Sequence, residues 1–349
     1  INSISAAIPG LFMYVPFIST FKHMFNNRNV VNELRRSIDK IDIKPEKRIL
    51  WFTDTLHDLN GVSVTLKKIG WAAHNFGYDL KLVTSMEVDE FDENIPPNII
   101  NMPFLTYFNL PFYESYKLKI PSILKSMEII YRYDPDEIYI STPGPIGLMG
   151  LMMAKLFNLK CRGIYHTDFT MQVREISADK SIEGIVEAYT KWFYGKIDDI
   201  AAPTAEYAEI LKERGFDKNK ISVFERGIET DKFYPKELVR SEIIGKYGIK
   251  EGFNLIFAGR VSKDKNLEFL CRVYNDVLTE NPDTNLIIAG EGPYLEEMKT
   301  LYKNDPRVIF TGIIKNSDMP DIYAAADLMV FPSITDTFGM VVLEAQACG

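Results

Sequence analysis

From Arg48 onward, short apolar runs alternate with longer stretches whose apolar positions recur every three or four residues. The first pattern reads as buried strand and the second as helix. Strand-like runs stand at Arg48–Thr53, Tyr78–Thr84, Glu137–Ser141, Cys161–His166 and Ile200–Pro203. The spacing between them predicts helices over Val62–Phe76, Tyr113–Tyr133, Ile146–Phe157, Ile182–Tyr194 and Ala205–Arg214. After a polar connector around Gly227–Glu237 the alternation restarts. Strands are expected at Asn254–Ala258, Asn285–Ala289, Val308–Thr311 and Leu328–Pro332, with helices at Leu267–Thr279, Tyr294–Tyr302 and Asp318–Ala325. Buried strands joined by helices of this length make βαβ units and a parallel sheet. The chain therefore reads as α/β, with two doubly wound Rossmann-like halves. Ligand is expected in a cleft outside the carboxyl ends of the strands. The expected segments are an arm at 1–47, a first domain at 48–226, a connector at 227–252 and a second domain at 253–349.

The arm has its own pattern. Ile8 to Phe21 is almost wholly apolar, but Pro9, Pro16 and a length of 14 residues argue against a membrane span. From Lys22 to Arg48 the chain turns basic, and residues 1–48 hold eight Lys/Arg against four Asp/Glu. Two readings stay open: an anchor on an anionic lipid surface, or a segment packed on the domain that follows.

Composition narrows the class. At 349 residues two domains are expected, and 46% apolar with 25% charged residues describes an ordinary globular protein. A net charge of −8 argues against nucleic acid as the main partner. Cys161, Cys271 and Cys348 are scattered, odd in number and without metal spacing, which points to a reducing, cytoplasmic compartment. The start at Ile1 and the end just after the richest motif suggest a piece of a longer protein.

That motif is the last fifteen residues, Thr335 to Gly349. Asp336 lies in a loop and Glu344 eight residues later in a helix-spaced run. Between them Phe338, Gly339 and Met340 would open the helix with unpaired amides, which suit an anion. Such a spacing can hold a sugar at one carboxylate and a ribose at the other, with phosphates between. Arg260 and Lys265 follow the first strand of the second half, where two positive charges can neutralise a diphosphate. Gly290-Glu291-Gly292-Pro293 follows the next strand; its glycines permit a tight turn and close approach to a ligand, and Pro293 suits a first helical position. In the first half, Asp58 to Ser63 lies between a strand and a helix, so its amides could face a phosphate.

The spacing resembles the Glu-x7-Glu signature of the family 4 retaining glycosyltransferases with the GT-B fold, with Asp336 in place of the first Glu. Gly259-Arg260 with Lys265 is similar to that family's diphosphate clamp, and Gly290 to Pro293 to its Gly-x-Gly-Pro loop. The resemblance implies that Ile314 packs on the nucleobase. Gly61 matches one glycine of a Gly-Gly-Val loop, where Asn60 replaces the other. Tyr165-His166-Thr167-Asp168-Phe169 is similar to a segment of members that glycosylate lipids or mannosylate carriers, and implies that His166 contacts the donor sugar.

The expectation is a hexosyltransferase that moves a sugar from a UDP or GDP donor to a hydroxyl of a lipid or saccharide, with retention. His166 and Asp336 would serve the sugar. Gly61, Arg260, Lys265, Glu291, Ile314, Phe338, Gly339, Met340 and Glu344 would serve the rest of the donor. No cofactor and no metal are expected. Asp134-Pro135-Asp136 looks like a metal-binding Asp-x-Asp but precedes a strand, away from the expected cleft, and reads as a solvated turn. Two other readings remain: a GT-B sugar-nucleotide epimerase, and a sugar-nucleotide-binding module without activity.

Overall fold

The computed structural model describes residues 2–39, 47–58, 60–110, 113–177, 179–236 and 240–349, with backbone alone at 2–12, 29, 35, 36, 39, 110, 113–116, 240 and 241. The Leu11 and Phe12 side chains of the apolar run, residues 40–46 of the basic run and residues 237–239 of the connector lie outside this description. By contact density the chain forms two compact units. One comprises Ile1–Asp58, Val62–His166 and Tyr189–Phe224; the other comprises Leu59–Gly61, Thr167–Ala188 and Glu225–Gly349.

In chain order the elements before the connector are α1 (Asn2–Asp39), β1 (Ile49–Phe52), α2 (Gly61–Phe76), β2 (Leu80–Thr84), β3 (Ile99–Asn101), β4 (Phe104–Leu110), β5 (Tyr113–Pro121) and α3 (Ile123–Tyr133). They continue with β6 (Glu137–Ile140), α4 (Pro145–Phe157), β7 (Lys160–Ile164), α5 (Phe169–Ser177), α6 (Lys180–Gly195), β8 (Asp199–Ala202), α7 (Ala205–Glu213) and β9 (Ile221–Val223). Seven strands form one parallel sheet in the order β3-β2-β1-β6-β7-β8-β9. Alternation along β1 sends Leu50 and Phe52 to one core, with Ile138 and Ile140, and Trp51 to the other, with Ile164 and Ala201. Both faces of the sheet are thus covered, as a parallel sheet requires.

The helix expected over Tyr113–Tyr133 is only half right. Tyr113–Pro121 is a strand paired antiparallel with β4, and the helix begins at Ile123. Pro121 cannot continue a helix, and the run Tyr-Lys-Leu-Lys-Ile before it alternates with period two.

The arm is a helix of 38 residues. It packs through Ile18, Phe21 and Phe25. Phe25 stacks on Phe157 at 4.3 Å, and the Arg28 guanidinium sits 3.8 Å over the Tyr131 ring. Beside this packed stripe runs a second one, Met13, Phe17, Met24, Val31, Leu34 and Ile38, that is exposed. No described helix is long and apolar enough to cross a membrane.

Asp134 is not a solvated turn residue. It ends α3 in the left-handed conformation, is nearly buried, and pairs with Arg48 at 2.5 Å and Arg28 at 3.7 Å. The backbone N–H of Arg48 donates to Asp136 at 2.9 Å. The two carboxylates therefore fasten α1 and β1 to the end of α3.

Asp54, just past β1, is a second buried acid of this unit. It accepts from Thr142 Oγ1 at 2.6 Å and from the Ile146 amide at 2.8 Å, at the start of α4. Burial nevertheless pushes its carboxyl up to about 6. The folded chain then keeps a proton that the unfolded chain has released, so stability falls as pH rises between about 4 and about 6 and is level above. The loss is about 3 kcal/mol. Trp51, Trp71 and Trp192 all lie in this unit, so tryptophan fluorescence follows its unfolding. Asp54→Asn should gain about that much relative to the parent across this window; a pH-independent difference in urea titrations contradicts the assignment.

The second unit contains α8 (Arg240–Tyr247), β10 (Phe253–Ala258), α9 (Leu267–Glu280), β11 (Thr284–Ala289), α10 (Leu295–Leu301), β12 (Val308–Gly312), α11 (Met319–Ala325), β13 (Leu328–Met329) and α12 (Met340–Ala347). Its parallel sheet has the order β12-β11-β10-β13. β11 is buried at every position, between a core around Phe257 and Tyr274 and another around Ile256 and Tyr323.

Candidate functional site

Chain turns at the carboxyl ends of β10, β11 and β13 assemble most of the expected donor residues. Gly259 leaves β10 at φ +146°, and Arg260 follows. The Val261 amide donates to the Glu291 carbonyl at 2.9 Å, and the Tyr294 amide to the Val261 carbonyl at 3.0 Å. The two loops are therefore laced together. A Cβ on Gly290 would stand 1.9 Å from the Gly259 carbonyl oxygen, and one on Gly292 would stand 2.3 Å from that of Val261. These glycines serve the approach of one loop to another, where the sequence suggested approach to a ligand. Pro293 is likewise not a first helical residue, because α10 starts at Leu295. Glu291 is exposed, with its carboxylate near Gly312.

A single 3₁₀ turn at Lys263–Lys265 joins β10 to α9, and Asn266 turns the chain at φ +55°. Three contacts tie this turn to the loop after β13. Thr335 Oγ1 donates to the Asp264 carbonyl at 3.2 Å, and Asn266 Nδ2 approaches the Pro332 carbonyl at 3.4 Å. Lys265 Nζ meets Asp336 Oδ2 at 2.6 Å. A cation expected on phosphate and a carboxylate expected on sugar are thus partners, 71 residues apart in sequence. α5, from the segment Thr167–Ala188, lies against the same turn, with the buried Asp168 carboxylate accepting from the Met171 amide at 3.1 Å.

Gly339 caps α12 at φ +70°, a left-handed conformation that suits glycine. The first amides of α12 have no acceptor within the helix. Ahead of the cap, the Phe338 ring lies 5.3 Å from the Arg226 guanidinium. Burial draws that guanidinium down to about 10, so it remains charged at neutral pH. Two turns along, Glu344 is buried, and its Oε2 accepts from the Tyr323 hydroxyl at 3.4 Å. Burial, then the Glu344 carboxylate, raises the Tyr323 phenol above its usual range, which keeps it a donor. Ile314 packs inward on the core around Ile322, whereas Ile313 is half exposed.

His166 belongs to the first unit, one strand end from Ser141. Its Nε2 lies 3.0 Å from Ser141 Oγ and the residue is nearly buried. Gly61 is the first residue of α2, and a Cβ there would meet nothing within 4 Å. Asn60 is not among the residues with positive φ, so it fills the place of a glycine without strain. Among the described residues no group of three or more His, Cys, Asp or Glu could hold a metal ion. Arg226, whose charge sits beside Phe338, and Trp51 and Ser141 around His166 carry no motif in the sequence. Only tertiary packing singles these residues out.

The family model described as glycosyl transferases group 1 matches residues 239–349, and that of glycosyltransferase family 4 matches residues 59–232. The chain is 28% identical over 311 residues to the alpha-monoglucosyldiacylglycerol synthase of Streptococcus pneumoniae, covering 86% of this chain and 69% of that protein. It is 27% identical over 246 residues to a sulfoquinovosyl transferase of Arabidopsis thaliana, covering 69% of this chain and 47% of that one. Among solved structures, Anabaena HepE in complex with UDP and glucose aligns with a TM-score of 0.64 at 17% identity, over 87% of this chain and 79% of that one. Sucrose-phosphate synthase of Thermosynechococcus elongatus aligns with a TM-score of 0.66 at 18% identity, over 87% and 80%. Two parallel Rossmann-like sheets and these matches agree: the chain belongs to the family 4 glycosyltransferases, retaining enzymes of the GT-B fold that draw on nucleotide sugars.

Proposed function

We propose that the chain transfers a hexose from a UDP or GDP donor to a hydroxyl of a membrane lipid, without a metal ion. The observation that carries the donor assignment is the Lys265–Asp336 pair at 2.6 Å, beside the capped start of α12. In this reading Arg260, Lys265 and the Phe338, Gly339 and Met340 amides hold the diphosphate. Glu344 takes the ribose, Ile314 flanks the base, Gly61 and Glu291 border the donor, and His166 and Asp336 hold sugar hydroxyls. The bond from the anomeric carbon to the β-phosphate oxygen breaks, and its electrons leave with the diphosphate. The acceptor hydroxyl adds on the same face, and its proton passes to the departing phosphate oxygen. Fixed positive charge stabilises the leaving group throughout, so the reaction has no need of a cation.

A lipid acceptor is favoured by the exposed stripe of α1. The name of the pneumococcal relative, a diacylglycerol glucoside synthase, points the same way. Resting on anionic lipid at the cytoplasmic face, Phe17, Met24 and Val31 would each bury apolar area without disturbing the stripe already packed on Phe157 and Tyr131. Half-burying three such side chains gains about 3 kcal/mol, or about a hundredfold in partition. Phe17→Glu/Met24→Glu/Val31→Glu should therefore stop flotating with anionic vesicles and lose transfer to diacylglycerol in them. Its tryptophan-monitored unfolding should match the parent. Equal flotation of variant and parent would rule the stripe out as a lipid contact.

A further inference from the structure

We propose that Ser141 and Trp51 fix the His166 imidazole in the tautomer that carries its proton on Nδ1, making them positioning residues for the donor sugar. This rests on the reading that His166 serves the sugar. Three adjacent parallel strands, β1, β6 and β7, bring the groups together: Trp51 lies on β1, Ser141 follows β6 and His166 follows β7. Register fixes their meeting. Phe52 pairs with Ile140, and the Ser141 amide donates to the Phe52 carbonyl at 2.9 Å. The Ser141 side chain therefore lies on the same side of the sheet as Trp51.

The hydrogen-bond roles then follow from chemistry. An indole N–H can only donate. Trp51 Nε1 lies 2.7 Å from Ser141 Oγ, so the serine oxygen accepts there. The remaining neighbour of that oxygen is His166 Nε2 at 3.0 Å. Ser141 is 1% exposed, and among the described residues its hydroxyl proton has no other acceptor. A buried hydroxyl proton is costly to leave unpaired. It goes to Nε2, which must then be the bare nitrogen, and the ring proton sits on Nδ1. Phe224 closes the arrangement, edge-on to His166 at 6.2 Å and to Trp51 at 6.2 Å, so the imidazole cannot turn over freely. The consequence for transfer is directional: a neutral His166 offers the donor sugar an N–H from Nδ1, and a sugar oxygen accepts it.

The test is ¹⁵N NMR of the His166 ring in the full chain, at mildly alkaline pH where an imidazole is neutral. The parent should show Nδ1 as the protonated nitrogen and Nε2 as the bare one. Ser141→Ala should move the proton towards Nε2 and lower kcat about tenfold with a smaller change in KM. Ser141→Thr, which keeps the hydroxyl, should restore both the spectrum and the rate. A parent ring protonated on Nε2, or a Ser141→Ala spectrum like the parent's, overturns the proposal. His166→Gln separates the two layers. If its rate equals the parent's, the sugar-contact reading fails and the positioning role fails with it, whatever the spectra show.

Discussion

Arg260→Ala/Lys265→Ala should lose about 3–6 kcal/mol of nucleoside-diphosphate affinity, a factor of about a hundred or more, because hydrogen bonds to charged groups contribute about 1.5–3 kcal/mol each. Isothermal titration with UDP and GDP reads the loss; parental affinity for both would show that the phosphates bind elsewhere. The Lys265–Asp336 pair adds a second, sharper expectation. In the ligand-free chain Asp336 already satisfies part of the lysine, so phosphate must compete with it. Asp336→Asn removes the competitor. UDP or GDP alone should then bind as tightly as to the parent or a few-fold tighter, while sugar transfer falls. Weaker binding of the bare nucleotide would mean that Asp336 organises the clamp and does not oppose it.

Phe25→Ala should destabilise the first unit by about 3–5 kcal/mol, the range for truncating a buried aromatic. Phe25 is 1% exposed and stacked on Phe157. The change removes the ring that seats α1 on α4 and leaves a cavity that rigid neighbours fill only partly. Urea unfolding followed by tryptophan fluorescence measures it. A loss below 1 kcal/mol would mean that α1 is a detachable arm, and the exposed stripe would then have to be argued without its packed neighbour.

The arm shows why sequence carried some of this account and not the rest. Its two readings, packed and lipid-facing, were offered as rivals, yet a helix has room for both on different sides. Pro9 and Pro16 hid the single helix, since prolines usually interrupt one. Elsewhere, buried strands such as Asn254–Ala258 were legible because burial on both faces of a parallel sheet forces continuous apolar runs. The hairpin β4–β5 was missed because apolar residues in Tyr113–Tyr133 fit helical spacing across Pro121. At the site, residue types at strand ends could be named from spacing alone. Which of them touch could not: Lys265 and Asp336 meet only because Thr335 and Asn266 lace two loops together. The glycines at 290 and 292 stand out in the sequence, but the close approach they permit is to Gly259 and Val261 and not to a ligand.

In the proposed reaction fixed protein charge, with no metal, lets the sugar leave and be captured on one face. NMR of the anomeric proton tests it most directly, with the chain in EDTA, an α-linked UDP- or GDP-hexose as donor, and diacylglycerol in anionic vesicles as acceptor. An α-linked product should form at the rate seen without chelator. A β-linked product, an isomerised sugar nucleotide with no transfer, or turnover that stops in EDTA and returns with Mg²⁺ would contradict it.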